Sequence, residues 1–179
     1  MAQVDLEIGS VTTSNFSVDA LRMQDDDGSL AEATFGQKAI LTLDNMPSNA
    51  DSITSVAIYI QAGVNPEKTV GQLDVKLLAS GVTMIRAQAF SVDAPGGSPA
   101  TYTSTAWNDY ISGGSTPSWT PTVINDMQLQ VKHAGNLAGT PTLQIDYAFA
   151  RVVYTETVSS PPTKISSGLI KINSGLIKM

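Results

Sequence analysis

The chain of 179 residues has no cysteine and a single histidine, His133. Disulfides, thiol nucleophiles and zinc sites of the Cys/His type are thereby excluded, and one imidazole remains as a candidate base. Charge is scarce: 15% of residues are charged, against roughly 25% in an average soluble protein. Ten Lys and Arg face sixteen Asp and Glu, a formal net charge of −6. Too few cations are present to neutralise a phosphate backbone, so no nucleic-acid partner is expected. Aromatic residues make up only 6%. No window approaches the roughly 18 uncharged apolar residues of a membrane-spanning segment, so no membrane partner is expected. The opening Met1-Ala2-Gln3-Val4-Asp5 lacks a basic region and an apolar region, so no secretory signal is read there and synthesis in the cytosol is expected. No cofactor-binding loop and no catalytic set stand out. The chain is read as a non-enzyme that needs no cofactor.

What is present is alternation. Val4, Leu6 and Ile8 interleave with Asp5 and Glu7; Val56, Ile58 and Ile60 with Ala57, Tyr59 and Gln61; Leu73, Val75 and Leu77 with Asp74, Lys76 and Leu78; Met127, Leu129 and Val131 with Gln128, Gln130 and Lys132. Period two is the signature of half-buried strands. Ala39–Leu43 is a short apolar run, Tyr102–Trp107 is Thr-rich and strand-like, and Leu143, Ile145, Tyr147, Phe149 and Val153 are expected on one face of the longest strand. Turn-forming clusters rich in Gly, Pro, Asn and Ser separate the runs at 44–51, 63–68, 93–100, 113–118 and 135–141. The segments before and after Ser80-Gly81 read as a hairpin. Eight or nine strands without intervening helices predict an antiparallel β-sandwich or barrel.

One segment departs from this pattern. In Trp119-Thr120-Pro121-Thr122-Val123-Ile124, Thr120 suits an N-cap, Pro121 the first helical position, and Trp119 can staple against Ile124. A single helical turn is expected there, leading into the Met127 strand.

Beyond the sandwich, assigned to 1–157, residues 158–164 contain Pro161-Pro162 and read as a stiff linker. Residues 165–179 hold a seven-residue repeat, Ile165-Ser166-Ser167-Gly168-Leu169-Ile170-Lys171 and Ile172-Asn173-Ser174-Gly175-Leu176-Ile177-Lys178, before Met179. A central Gly costs about 1 kcal/mol in a helix, which disfavours a coiled coil. Two short strands turning at Asn173-Ser174-Gly175 fit better, with aliphatic residues on both faces. Burying Ile165, Leu169, Ile170, Ile172, Leu176, Ile177 and Met179 at roughly 1.5 to 3 kcal/mol each favours docking on another subunit. These residues form the expected assembly interface of a C-terminal β-arm.

Candidate chemistry is sparse. Asp25, Asp26 and Asp27, before Gly28, form the densest carboxylate cluster and are weak candidates for calcium; a solvated acidic loop is the favoured reading, because their spacing does not fit an EF-hand. His133 follows the Met127, Leu129 and Val131 face, and the expected role is a strand-end histidine bonded to a carbonyl or to water. Asp146 is expected to be exposed, opposite Ile145 and Tyr147. Tyr102, Trp107, Tyr110 and Trp119 are close in sequence, and Trp107, Tyr110 and Trp119 are the candidate glycan contacts. Packing in the core or an interface is the favoured role for these rings.

Tyr102–Trp107, the run Ser118-Trp119-Thr120-Pro121-Thr122-Val123-Ile124-Asn125-Asp126-Met127-Gln128-Leu129-Gln130-Val131-Lys132, and Thr142–Tyr147 together resemble a pattern in structural proteins of tailed bacteriophages. In that pattern a Thr-rich strand leads to a W-T-x-x-x-I-N turn, an L-Q-V strand and a closing alternating strand. Ile53–Ile60 looks like the same group's first central strand. The resemblance implies a jelly-roll-like sandwich residing in the virion as a capsid decoration, head-fibre or tail component, present in several copies. The expected partners are other copies, a homotrimer above all, and other virion proteins. The alternative is a tail or fibre protein that binds a host glycan.

Overall fold

Alternation of apolar and polar side chains builds ten strands among the described residues, which are 1–24, 26–66, 69–79, 83–112, 115–138 and 141–157 of a computed structural model. Asp25, the linker at 158–164 and the arm at 165–179 lie outside them. The strands are β1 (Ala2–Leu6), β2 (Ile8–Ser14), β3 (Ala31–Ala33), β4 (Lys38–Leu43), β5 (Ala50–Asn65), β6 (Val70–Ala79), β7 (Thr83–Val92), β8 (Ala100–Thr103), β9 (Met127–Ala138) and β10 (Thr142–Glu156). Every ladder between them is antiparallel. Sheet A runs β1-β10-β5-β8, with β3 also on β10, and sheet B runs β2-β4-β9-β6-β7.

Strands β3 to β10 form a jelly roll: β3, β10, β5 and β8 face β4, β9, β6 and β7. The apolar half of the longer strands points between the sheets. Leu6, Ile58, Ile60, Leu143 and Ile145 from sheet A meet Leu41, Leu73, Leu77, Leu129 and Val131 from sheet B in one core. Each buried aliphatic side chain contributes about 1.5 to 3 kcal/mol, which is what holds two sheets together without a disulfide.

The expected β6–β7 hairpin is present, pairing Gly71 with Val92 through Ala79 with Thr83. The expected helical turn is α1 (Pro121–Asn125): the Thr120 hydroxyl accepts from the Val123 amide at 3.3 Å, and Trp119 and Ile124 are both buried. It carries the chain from the edge of sheet A to β9 in the middle of sheet B. A second turn, a 3-10 turn at Ala20–Met23 capped by Asp19, was not anticipated. Nor was the division at Glu7, where the alternation of Val4, Leu6 and Ile8 continues unbroken while the chain leaves sheet A for sheet B.

Strand β10 corrects two expectations. Its register on β5 passes from Ile145 opposite Ala62 to Tyr147 opposite Gln61, leaving Asp146 as an extra residue in a β-bulge. The bulge reverses the faces beyond it. Leu143 and Ile145 point into the core, but Ala148, Ala150 and Val152 take over that role, and Tyr147, Phe149, Arg151 and Val153 turn outward. Asp146, expected in water, is only 5% exposed.

Candidate functional site

The outward face of sheet A carries the only stacked pair of rings among the described residues. Cross-strand register places Phe149 on β10 opposite Tyr59 on β5, and the two rings lie 4.9 Å apart and 4° from parallel. Tyr147 extends the group at 5.1 Å from Phe149. One step further along, Arg151 sits opposite Asp5 of β1, and its guanidinium lies 4.5 Å from the Tyr59 ring centre and 5.3 Å from that of Phe149. Arg151 Nε and Nη2 donate to Asp5 Oδ1 and Oδ2, each at 2.7 Å. That bidentate fork fixes the guanidinium over the rings, and its hydrogen bonds hold Arg151 even further above its already high pKa.

Acids and hydroxyls flank the rings. On the β1 side, Tyr147 donates to Glu7 Oε1 at 3.0 Å; burial first, and the Glu7 carboxylate second, push its phenol up to about 12. On the other side lie Gln61 and, on β8, the exposed Thr101 and Thr103. Ala57, opposite Arg151, is small enough to leave the guanidinium room. The result is a strip with an apolar, cation-covered centre and oxygen-rich margins. Two shallow depressions of about 170 Å³ lie elsewhere, one at Asp74, Lys76 and Ala87–Ala89, the other at Thr13–Asn15 and Lys38. Both are smaller than the ~300 Å³ at which small-molecule pockets begin.

The aromatic candidates named from sequence have a different place. Trp119 is 2% exposed, and its indole N–H donates to the Trp107 carbonyl at 2.9 Å. A ligand has no access to that ring, so Trp119 is a core residue and not a contact. Tyr110 packs on it at 5.2 Å, and Trp107 is half-buried, its backbone bridged to Val56. An ion pair and a hydrogen bond from Arg86 to Asp109 hold this segment onto β7.

His133 is fully buried, as a structural histidine. Its Nδ1 faces the Ala33 carbonyl at 3.2 Å and its Nε2 the Gly135 carbonyl at 3.1 Å, so the ring ties β9 to β3. Among the described residues, no serine or carboxylate is hydrogen-bonded to the ring. Asp26 belongs to the loop after the 3-10 turn, where its Oδ2 accepts from Gln61 Nε2 at 3.5 Å; Asp27 Oδ1 accepts from the Ser29 amide at 2.7 Å.

The residues of the sheet face were not selected from sequence. Tyr59 and Gln61 on the solvent side of β5, Asp5 on that of β1 and Glu7 just beyond it follow from alternation alone. The partners on β10 do not, because the bulge that turns them to this face leaves no mark in the pattern; Tyr147 is half-buried there, and Phe149, beneath its neighbours, is only 9% exposed.

No protein-family model matches the chain, and no curated protein does. Solved structures with a similar course include the C-terminal CBM6 of LamC, a marine laminarinase from Zobellia galactanivorans, at 14% identity, covering 85% of this chain and 99% of that one, TM-score 0.45. The N-terminal cellulose-binding domain of β-1,4-glucanase C from Cellulomonas fimi is 12% identical over 73% of this chain and 79% of its own, TM-score 0.38. A carbohydrate-binding module of lichenase 5A from Cellvibrio mixtus, in complex with cellotriose, is 15% identical over 87% and 98%, TM-score 0.39. At these TM-scores the likenesses do not bear on what this chain binds.

Proposed function

We propose that this chain is a non-enzymatic, carbohydrate-binding β-sandwich, carried as a tail or fibre component of a bacteriophage virion, with the outward face of sheet A as its glycan platform. The observation that carries the binding role is the strip of Tyr59, Phe149, Tyr147 and Arg151 between Asp5 and Glu7 on one margin and Gln61, Thr101 and Thr103 on the other. A sugar ring offers an apolar C–H face and a rim of hydroxyls. Aromatic surface suits the first, and planar forks such as carboxylate, guanidinium and amide suit the second. An open sheet face also suits an extended chain better than an enclosed cavity does. The absence of enzymatic activity is supported by His133, the sole imidazole of the sequence, which lies sealed between two carbonyls.

The virion setting is supported by the sequence pattern across β5, β8, α1, β9 and β10, and by the scarcity of charge. The same pattern supports a second reading, a capsid decoration or head-fibre protein assembled through the arm at 165–179, and the repeat of that arm favours it.

Retention of the purified protein on a panel of soluble and insoluble polysaccharides tests the glycan role. Tyr59→Ala and Arg151→Ala are expected to weaken retention about ten-fold or more, ~1.4 kcal/mol. Trp107→Ala, off the strip, is expected to leave it unchanged. No retention on any glycan, or equal retention by the wild type and Tyr59→Ala, overturns the reading.

A further inference from the structure

The edge of β10 opposite β5 is divided between two strands. β3 covers Leu143–Ile145, β1 covers Ala150–Tyr154, and the stretch between, beginning at the Asp146 bulge, has neither as a ladder partner. The 3-10 turn packs on β10, and the loop after it brings Asp26 to the bulge. Asp146 is 95% buried by its 5% exposure, yet its Oδ1 has no hydrogen-bond partner among the described residues. A buried carboxylate oxygen without a donor loses its hydration with nothing in exchange, and more so when charged. Its charged neighbours make matters worse, since those that perturb it are Asp26 and Asp27, and of its surroundings only the Gly28 amide favours the anion. Arg151 and Arg22 are engaged elsewhere, Arg151 by Asp5 and Arg22 at the Leu30 carbonyl.

Such a site lacks a positive charge. We propose that the Asp146 bulge and the loop at Asp26 form a divalent-cation site of the hard, oxygen-liganded class that takes calcium, with Asp146 Oδ1 and the Asp26 carboxylate as protein ligands. No group of three or more carboxylate or imidazole side chains converges among the described residues, so backbone carbonyls and water complete the shell. Calcium accepts that mixture, taking six to eight oxygens in a flexible arrangement. The ion would join the loop to β10 beside Gln61 and Tyr147, closing the divided edge of sheet A. This inference is independent of the glycan reading.

Titration of the EDTA-stripped full-length protein with calcium chloride, followed by calorimetry and by thermal melting, tests it. One saturable event per chain is expected, with an affinity near the ~10⁻⁴ to 10⁻³ M of extracellular calcium modules, and calcium should raise the melting temperature. Asp146→Asn and Asp26→Asn should each weaken the event at least ten-fold. Asp146→Asn in EDTA should melt no lower than stripped wild type, because the uncompensated charge is gone; that separates a lost ligand from a lost fold. The proposal is overturned by a wild type with neither saturable heat nor a melting shift, the result expected if Asp26 and Asp146 merely share a proton. An Asp146→Asn variant that responds to calcium as the wild type does also overturns it.

Discussion

His133 shows how one polar side chain can belong wholly to the fold. Both ring nitrogens face carbonyl oxygens, Ala33 on β3 and Gly135 on β9, and a neutral imidazole donates to only one of them at a time. The ring also packs edge-on against Phe35, 6.3 Å away. Removing it leaves a cavity and at least one carbonyl without its donor, so His133→Ala is expected to lower unfolding free energy by about 3 kcal/mol. Urea denaturation with an unchanged m-value measures this, while glycan retention of the folded variant should equal that of wild type. A loss below ~1 kcal/mol would mean that the two contacts are not formed in solution.

At the scale of elements, most of the sheet architecture was legible, because it rests on period two and on turn chemistry. Leu73, Val75 and Leu77 on β6 and Met127, Leu129 and Val131 on β9 are buried as their spacing requires, and Thr120 caps α1. What was illegible has two physical causes. Strands β2 and β3 are held by their neighbours and not by their own residues: Ile8–Ser14 is Ser- and Thr-rich with only Ile8 buried, and Ala31–Ala33 is too short to show a period. The bulge at Asp146 is set by pairing with β5, a contact distant in sequence, and it alone moved Tyr147 and Phe149 from the expected core to the candidate site. A related long-range constraint falls on Gly63, at the end of β5 where the loop after β7 crosses closely. A Cβ there would lie 2.6 Å from the Pro95 carbonyl oxygen and 2.7 Å from Gly96 Cα, both backbone atoms that cannot turn aside. Gly63→Ala must therefore push that loop off β5, breaking Val64 N–H to Ala94 O and Gly96 N–H to Val64 O. A loss of about 2 to 4 kcal/mol is expected, together with faster amide exchange at Val64 and Gly96. Gly97→Ala is the control, because nothing lies within 4 Å of its added methyl.

For the molecule as a whole, the decisive feature is that the described body leaves little apolar surface to share. Its exposed large hydrophobics, Met1, Leu21, Phe35 and Ile111, occur singly and not as a stripe. Scattered residues of this kind are ordinary surface and do not drive association. The core is filled by residues between Leu6 and Tyr154, and β10 closes against β5 as far as Glu156, with the Thr157 amide bonded to the Asn49 carbonyl at 2.8 Å. We expect self-association driven by apolar burial to come from the Ile- and Leu-rich repeat at 165–179. A chain ending at Thr157 is expected to keep the near-ultraviolet circular dichroism of the full-length protein and to sediment as a monomer, while the full-length chain forms a small closed oligomer such as a trimer. Replacing Leu169 and Leu176 together by Asp should reproduce the truncation, because two charges per chain cannot be buried in an apolar seam without partners. Sedimentation velocity separates the cases: equal mass for the truncated and full-length chains, whether both are monomers or both oligomers, would remove the arm from assembly and with it the second reading of the protein as a decoration held by that segment.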